Sequence, residues 1–133
     1  MEKLSVETGD KCEFIEITSR LKKLVDGAEI EEGALLVSIP HTTAAVTVNE
    51  SYDSSVRRDI VSKLNDIVPF QGSYTHREGN SPAHIKSTIV GSDQLIPIED
   101  GSLVLGTWQG VFFCEFDGPR NRNVHLQFLD SPL

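Results

Sequence analysis

An α+β domain with a mostly antiparallel sheet and two or three helices is the fold class that this sequence predicts. Three observations predict it. From Asp93 onward the pattern is all strand, interrupted by turn residues and never by a helical period. Before it, the apolar spacing switches to a helical period in two stretches, and a third short stretch carries helix start and stop residues. Glu99-Asp100-Gly101 lies between two apolar runs and is an Asp-Gly hairpin signal. The order is β-α-β-β-α-α-β-β-β-β, and a chain of 133 residues makes one domain with one core.

The elements follow in order. Residues 11–18 are short and rich in β-branched and aromatic side chains, which predicts a strand; its Glu13 and Glu16 fall on opposite faces. Leu21, Leu24, Val25 and Ala28 follow a helical spacing, with Ser19 as the expected cap and Gly27 or Gly33 as the break. Residues 34–39 read as a buried strand that Pro40 ends, since proline has no N–H to give the ladder. After His41-Thr42-Thr43 comes a second strand, 44–48, closed by Asn49-Glu50.

Asp53 is the expected cap of an amphipathic helix with Val56, Ile60, Leu64 and Ile67 on one stripe, ending before Pro69. Ser81-Pro82 predicts a further helix start, with Ser81 as the cap, and Gly91 its stop. Strands are expected at 94–98, 102–105, 111–116 and 123–129. In the third of these, Val111, Phe113 and Glu115 share one face and Phe112, Cys114 and Phe116 the other.

Composition excludes several classes. The formal net charge of −8 argues against non-specific nucleic-acid binding, which depends on Lys and Arg neutralising phosphates. It leaves room for a small phosphorylated ligand held by a few basic groups. No apolar run approaches the roughly 20 residues of a membrane helix. The first ten residues lack the basic head and apolar block of a secretory signal, so a cytoplasmic protein is expected. Cys12 and Cys114 are then two reduced thiols, with a single disulfide as the alternative. No P-loop, dinucleotide fingerprint or serine nucleophile elbow is present.

The polar residues that stand out cluster at element ends, where a sheet presents side chains to a cleft. His41 leaves one strand and Asn49-Glu50 ends the next. The polar loop 74–80 leads His76 into the helix whose first turn holds His84. Such a loop at a helix start is a natural place to hold an anion or a metal. Taken singly, each has a plainer reading: turn chemistry for His41, a loop start for Asn49 and Glu50, a solvated loop for His76. Arg120 and Arg122 follow the Asp117-Gly118-Pro119 turn, and arginine grips carboxylate or phosphate with two parallel bonds. The plainer reading there is a basic surface turn or an intersubunit salt bridge. For Trp108, between Gly106 and Gly110, the alternatives are a cleft-lining ring and a core tryptophan.

Five motifs together resemble the YjbQ-like family. They are His41-Thr-Thr-Ala44, Asn49-Glu50, the block His76…Gly79-Asn80…Ala83-His84-Ile85, Gly101-x-Leu-x-Leu-Gly-Thr-Trp-Gln109, and Glu115-Phe-Asp-Gly-Pro-Arg120. They run in the family's order over roughly residues 11–128. That family is uncharacterised, with a secondary thiamine-phosphate synthase activity attached to it. The resemblance implies an α+β homotrimer with sheets packed about the three-fold axis. It also implies a polar, metal-binding pocket built by the shared histidines and acids. His125 lies in none of the motifs.

Three functions are then weighed. One is an enzyme joining a pyrimidine diphosphate to a thiazole phosphate with release of pyrophosphate. The chain is too short to be the TIM barrel that usually does this. His41, Glu50, His84 and Arg120 are its expected catalytic residues. Thr42, Asn49, Asn80, Lys86, Trp108 and Gln109 are expected to bind substrate, with Arg122 a further phosphate contact. A divalent metal, zinc or magnesium, is expected on His41, Glu50, His76 and His84. The second is a metal-dependent hydrolase or lyase on another small metabolite. The third is a metabolite-binding trimer without catalysis. The expected site has His41, Glu50, His76 and His84 converging in one pocket, Asn80 shaping the loop of His76, and Arg120 approaching from its turn.

Overall fold

The computed structural model describes residues 1–76 and 79–131. Among them are eight strands and three helices: β1 (Glu2–Glu7), β2 (Glu13–Glu16), α1 (Thr18–Gly27), β3 (Gly33–Ser38), β4 (Ala44–Glu50), α2 (Ser54–Ile67), α3 (Ser81–Val90), β5 (Asp93–Glu99), β6 (Ser102–Leu103), β7 (Gln109–Glu115) and β8 (Asn121–Asp130). The strands form a five-stranded sheet, β1-β8-β3-β5-β6, and a three-stranded sheet, β2-β7-β4. Every pairing is antiparallel.

β7 explains the layering. From Val111 to Cys114 it is apolar on both faces, and of its seven residues all but the first are buried. Val111 and Phe113 point into the main core with Val37, Ile96, Val124 and Leu126 of the larger sheet. Phe112 and Cys114 point the other way, into a second core closed by Ala83 of α3 and Ile60, Val61 and Leu64 of α2. The molecule is therefore two sheets with α2 and α3 on the far side of the smaller one, while α1 seals the main core with Leu21 and Val25.

Several local expectations hold in detail. Asp53 accepts the Ser55 N–H at 2.9 Å and caps α2. Asp100 and Gly101 both have positive φ, 51° and 75°, as the tight hairpin before β6 requires. Gly91 ends α3 at φ 104°.

Others are corrected. β1 was not expected: it inserts only Leu4 and Val6 inward, too short an alternation to stand out among Glu, Lys and Ser. Ser19 does not cap α1, which starts at Thr18 behind Ile17. The Thr18 hydroxyl instead accepts the Val111 N–H at 2.9 Å and donates to Glu16. Ser81 is inside α3, and Asn80 holds the cap position without a side-chain cap bond. On α2, Ile67 is 62% exposed and Val61 takes the inward place. Both cysteines are free thiols. Among the described residues no helix is long and apolar enough to cross a membrane.

Candidate functional site: a cavity beside His41 and His84

The chain leaves β3 through Ile39 and Pro40 and crosses to β4 by His41-Thr42-Thr43. The first turn of α3 lies alongside, and the turn after β7 closes the third side. Between them is a cavity of about 630 Å3 lined by His41, Thr42, Asn80, His84, Arg120 and Arg122, among others.

Its floor is a buried ion pair. Arg122 is 5% exposed and Glu115 fully buried. Arg122 Nε donates to Glu115 Oε1 at 2.9 Å, and its Nη2 donates to the other carboxylate oxygen and to Thr43 Oγ1 at 2.8 Å. Glu115 also accepts the Thr8 hydroxyl and the N–H groups of Phe116 and Asp117. Burial alone would push this carboxyl up. The guanidinium and these donors outweigh burial and hold it below the usual carboxylate range. The signal in the sequence was a lone acid on the otherwise apolar face of β7.

The rim is built the same way. Arg120 donates from Nε to the Asp117 carbonyl at 2.7 Å and from Nη2 to Asp117 Oδ2 at 2.8 Å. Asn80 Nδ2 donates to the same carboxylate oxygen at 3.0 Å. Burial would raise Asp117, and Asn80 and Arg120 bring it below its ordinary value instead. Asn80 Oδ1 is buried and finds no hydrogen-bond partner among the described residues.

His41 is held from behind. Pairing of β3 with β8 stops at Ser38 opposite His125, so Asn123 lies opposite Pro40. The Asn123 N–H donates instead to His41 Nε2 at 2.9 Å. That leaves the ring proton on Nδ1 and fixes a neutral imidazole. Burial and the Arg122 guanidinium push its pKa down in the same direction. On the opposite wall, the rings of His76 and His84 meet edge to face with centroids 5.5 Å apart.

Several expected site residues are elsewhere. β4 pairs with β7 from Ala44 opposite Glu115 to Glu50 opposite Gln109. Six residues of extended strand separate those pairs by about 20 Å. Asn49, Glu50, Trp108 and Gln109 therefore stand at the other end of the smaller sheet from His41 and His84. Lys86 is fully buried, where its Nζ donates to Asn65 Oδ1 at 2.5 Å and faces Cys12 and the Phe70 ring. It lies under α3 and does not line the cavity.

The expected metal set does not assemble within one chain. Glu50 is too far away, and a metal on His41 would need a ring nitrogen lone pair when Nε2 is already an acceptor and Nδ1 carries the proton. Among the described residues no three His, Cys, Asp or Glu side chains are grouped as a metal site. The expected convergence is thus partial: His41, Thr42, Asn80, His84 and Arg120 share the cavity, with His76 against His84. Thr43, Glu115 and Asp117, which position them, were not singled out from the sequence.

Relatives share this architecture along nearly the whole chain. The family model described as UPF0047 protein YjbQ-like matches residues 2–131. The UPF0047 protein MJ1081 of Methanocaldococcus jannaschii is 42% identical over 127 residues, 96% of this chain and 92% of that protein. The UPF0047 protein YugU of Bacillus subtilis is 40% identical, over 95% of this chain and 96% of that protein. An uncharacterised YjbQ/UPF0047 family protein of Clostridium acetobutylicum has a crystal structure that superposes with a TM-score of 0.95. It is 47% identical and covers 97% of this chain and 100% of that one. A protein of unknown function from Sulfolobus solfataricus superposes with a TM-score of 0.94 at 31% identity, over 98% of this chain and 96% of that one. With these matches along almost its full length, the chain belongs to the YjbQ-like UPF0047 family.

Proposed function

We propose that the cavity binds a small phosphorylated metabolite and that the protein, a cytoplasmic homotrimer, joins a pyrimidine diphosphate to a thiazole phosphate with release of pyrophosphate. One observation carries the reading. The described lining has two guanidinium groups, two imidazoles, and hydroxyl and amide groups, and no carboxylate. Such a lining suits an anion. In the reaction, the thiazole nitrogen attacks the methylene carbon of the pyrimidine. The C–N bond forms, the C–O bond to diphosphate breaks, and diphosphate leaves with the electron pair. Arg120 and His84 hold that leaving group and the charge it gains, and neutral His41 offers its Nδ1–H as a further donor.

A divalent metal, zinc or magnesium, enters this proposal as a companion of the substrate's diphosphate and not as an ion on three protein ligands. The trimer rests on the family resemblance and on apolar side chains left exposed on the larger sheet, Leu95 at 60% and Leu129 at 44%. A non-catalytic metabolite-binding trimer is the second reading. It is favoured by His41 and Arg122 both being committed to bonds within the fold.

Titration calorimetry with inorganic pyrophosphate tests the cavity, and product formation from the two precursors tests the reaction. Arg120→Ala is expected to weaken pyrophosphate binding at least about tenfold, the loss of one charge-assisted contact. Binding without product would support the second reading. No binding at millimolar pyrophosphate would sink both.

A further inference from the structure

The far end of the smaller sheet carries a built surface of its own. Trp108 is 56% exposed and Tyr52 80% exposed, yet their rings are set against each other, centroids 5.1 Å apart at 75°. The turn that presents Trp108 is pinned. Gln109 Oε1 accepts the Gly106 N–H at 2.7 Å, Gln109 N–H donates to the Gly106 carbonyl at 3.0 Å, and Ser51 N–H donates to the Trp108 carbonyl at 2.8 Å. The indole is therefore held out towards solvent by a fixed backbone. Glu50 Oε2 accepts the Tyr52 N–H at 3.3 Å, which puts a carboxylate at the foot of the ring pair.

The apolar surface continues past this corner. Leu95, 60% exposed, and Val104, 45% exposed, border a shallow cavity together with Gln109. Exposed tryptophan and tyrosine beside aliphatic side chains have the composition of an interface centre, and the acids Glu50 and Glu16 lie at its edge. The surface that complements it in charge belongs to this same chain: the cavity, whose described lining has no carboxylate, with Arg120 half-exposed at its rim. The two lie about 20 Å apart along β4 and cannot meet within one copy. A contact between them in two copies would be head to tail, and such a contact gives a ring where its rotation closes and an open filament where it does not.

We infer that a second copy of the chain seats its Trp108–Tyr52–Glu50 corner over the cavity, so that each site is made by two copies. One supplies His41, His84 and Arg120. The next supplies Glu50, at the edge of the contact and clear of Arg120, and Trp108, as a flat wall. The ligand class follows: an aromatic ring bearing a phosphate or diphosphate, with its anion on Arg120 and its ring on the neighbour's indole. This inference rests on the anion-binding reading of the cavity and adds to it where the missing half of the site comes from.

Trp108 is the single tryptophan of the chain, which makes the test direct. Inorganic pyrophosphate is titrated while indole fluorescence and heat are recorded. Wild-type protein is expected to bind and to change its fluorescence. Trp108→Phe lacks the reporter, and Arg120→Ala lacks the anion site. Co-expressed, the two variants are expected to regain a response of about a quarter of the wild-type amplitude, the share of sites with an intact cavity and a neighbouring Trp108 in a randomly assembled ring. His84→Ala replaces Arg120→Ala if the latter does not fold. A hybrid that binds pyrophosphate by heat while its fluorescence stays silent would overturn the shared site, as would a monomer in sedimentation at micromolar concentration. Wild-type protein that binds no pyrophosphate would instead remove the cavity reading on which the inference stands.

Discussion

The Asn123 N–H donates to His41 Nε2 at 2.9 Å, at the point where Pro40 has ended the partner strand. The imidazole completes the β8 ladder, and the same residue lines the cavity. His41 is therefore both a strand terminator and a site residue, and its protonation would break the first role.

A pH dependence follows from that bond. Burial and Arg122 lower the His41 pKa below its ordinary 6.5. The unfolded chain then binds the proton first. Stability from this group is fully present above pH 6.5 and is lost as pH falls from there through the lowered folded value. Urea midpoints are expected to drop between pH 7.5 and pH 5.5. In His41→Gln, which keeps an acceptor but does not titrate, that drop should shrink. An unchanged slope would show that His41 is not its source. His41→Ala is expected to lower stability by about 1 kcal/mol, the worth of one hydrogen bond.

Breaking the buried pair under the cavity should be far more damaging. Glu115→Gln removes the charge that Arg122, at 5% exposure, faces. A loss of about 3–5 kcal/mol is expected in urea unfolding, since the guanidinium is left buried and unpaired. Pyrophosphate binding should weaken with it, because the same bonds fix the cavity floor. Glu115 is also an acid-side contributor. Its lowered pKa gives stability that is present above about 4.5 and lost as pH falls through the folded value. A loss under 1 kcal/mol would show that the pair is dispensable.

Lys86 should behave in the opposite way. It is fully buried, no carboxylate among the described residues pairs with it, and burial lowers its pKa. Lys86→Met keeps the length of the side chain and removes the desolvated ammonium. Stability is expected to stay within about 1 kcal/mol of wild type or to rise. Pyrophosphate affinity should not change, since Lys86 lies outside the cavity. A tenfold loss of affinity would return Lys86 to the site.

Two glycines give the same substitution opposite outcomes. A Cβ at Gly118 would lie 2.2 Å from the Asp10 carbonyl oxygen and 2.9 Å from Glu115 Cγ. Gly118→Ala is expected to destabilise by several kcal/mol, because backbone has to move. A Cβ at Gly27, in α1, meets nothing within 4 Å. Gly27→Ala is expected to be neutral or to stabilise by up to about 1 kcal/mol through helix propensity. Thermal midpoints of the two variants decide it.

Much of the fold was legible because it depends on local rules. The alternation of β7 told which residues face which core, since side-chain direction in a strand has period two. Asp53, Gly91 and the Asp100-Gly101 turn announced themselves by the backbone conformations they allow. β1 did not, because its pairing with β8 joins residues more than a hundred apart in sequence. His41, His84 and Arg120 were recognisable as chemistry, but what each is attached to was not. Glu115, Asp117 and Asn123 hold them through contacts between separate elements. By itself the sequence determined which side chains have chemistry to offer and which strand ends carry them. The strand expected between His41 and Glu50 already sets them apart, since an extended chain advances by over 3 Å with every residue. The tertiary structure alone decided what joins His41 at its end of the sheet, because His84, Arg120 and Asn123 come to it from elements far away in sequence.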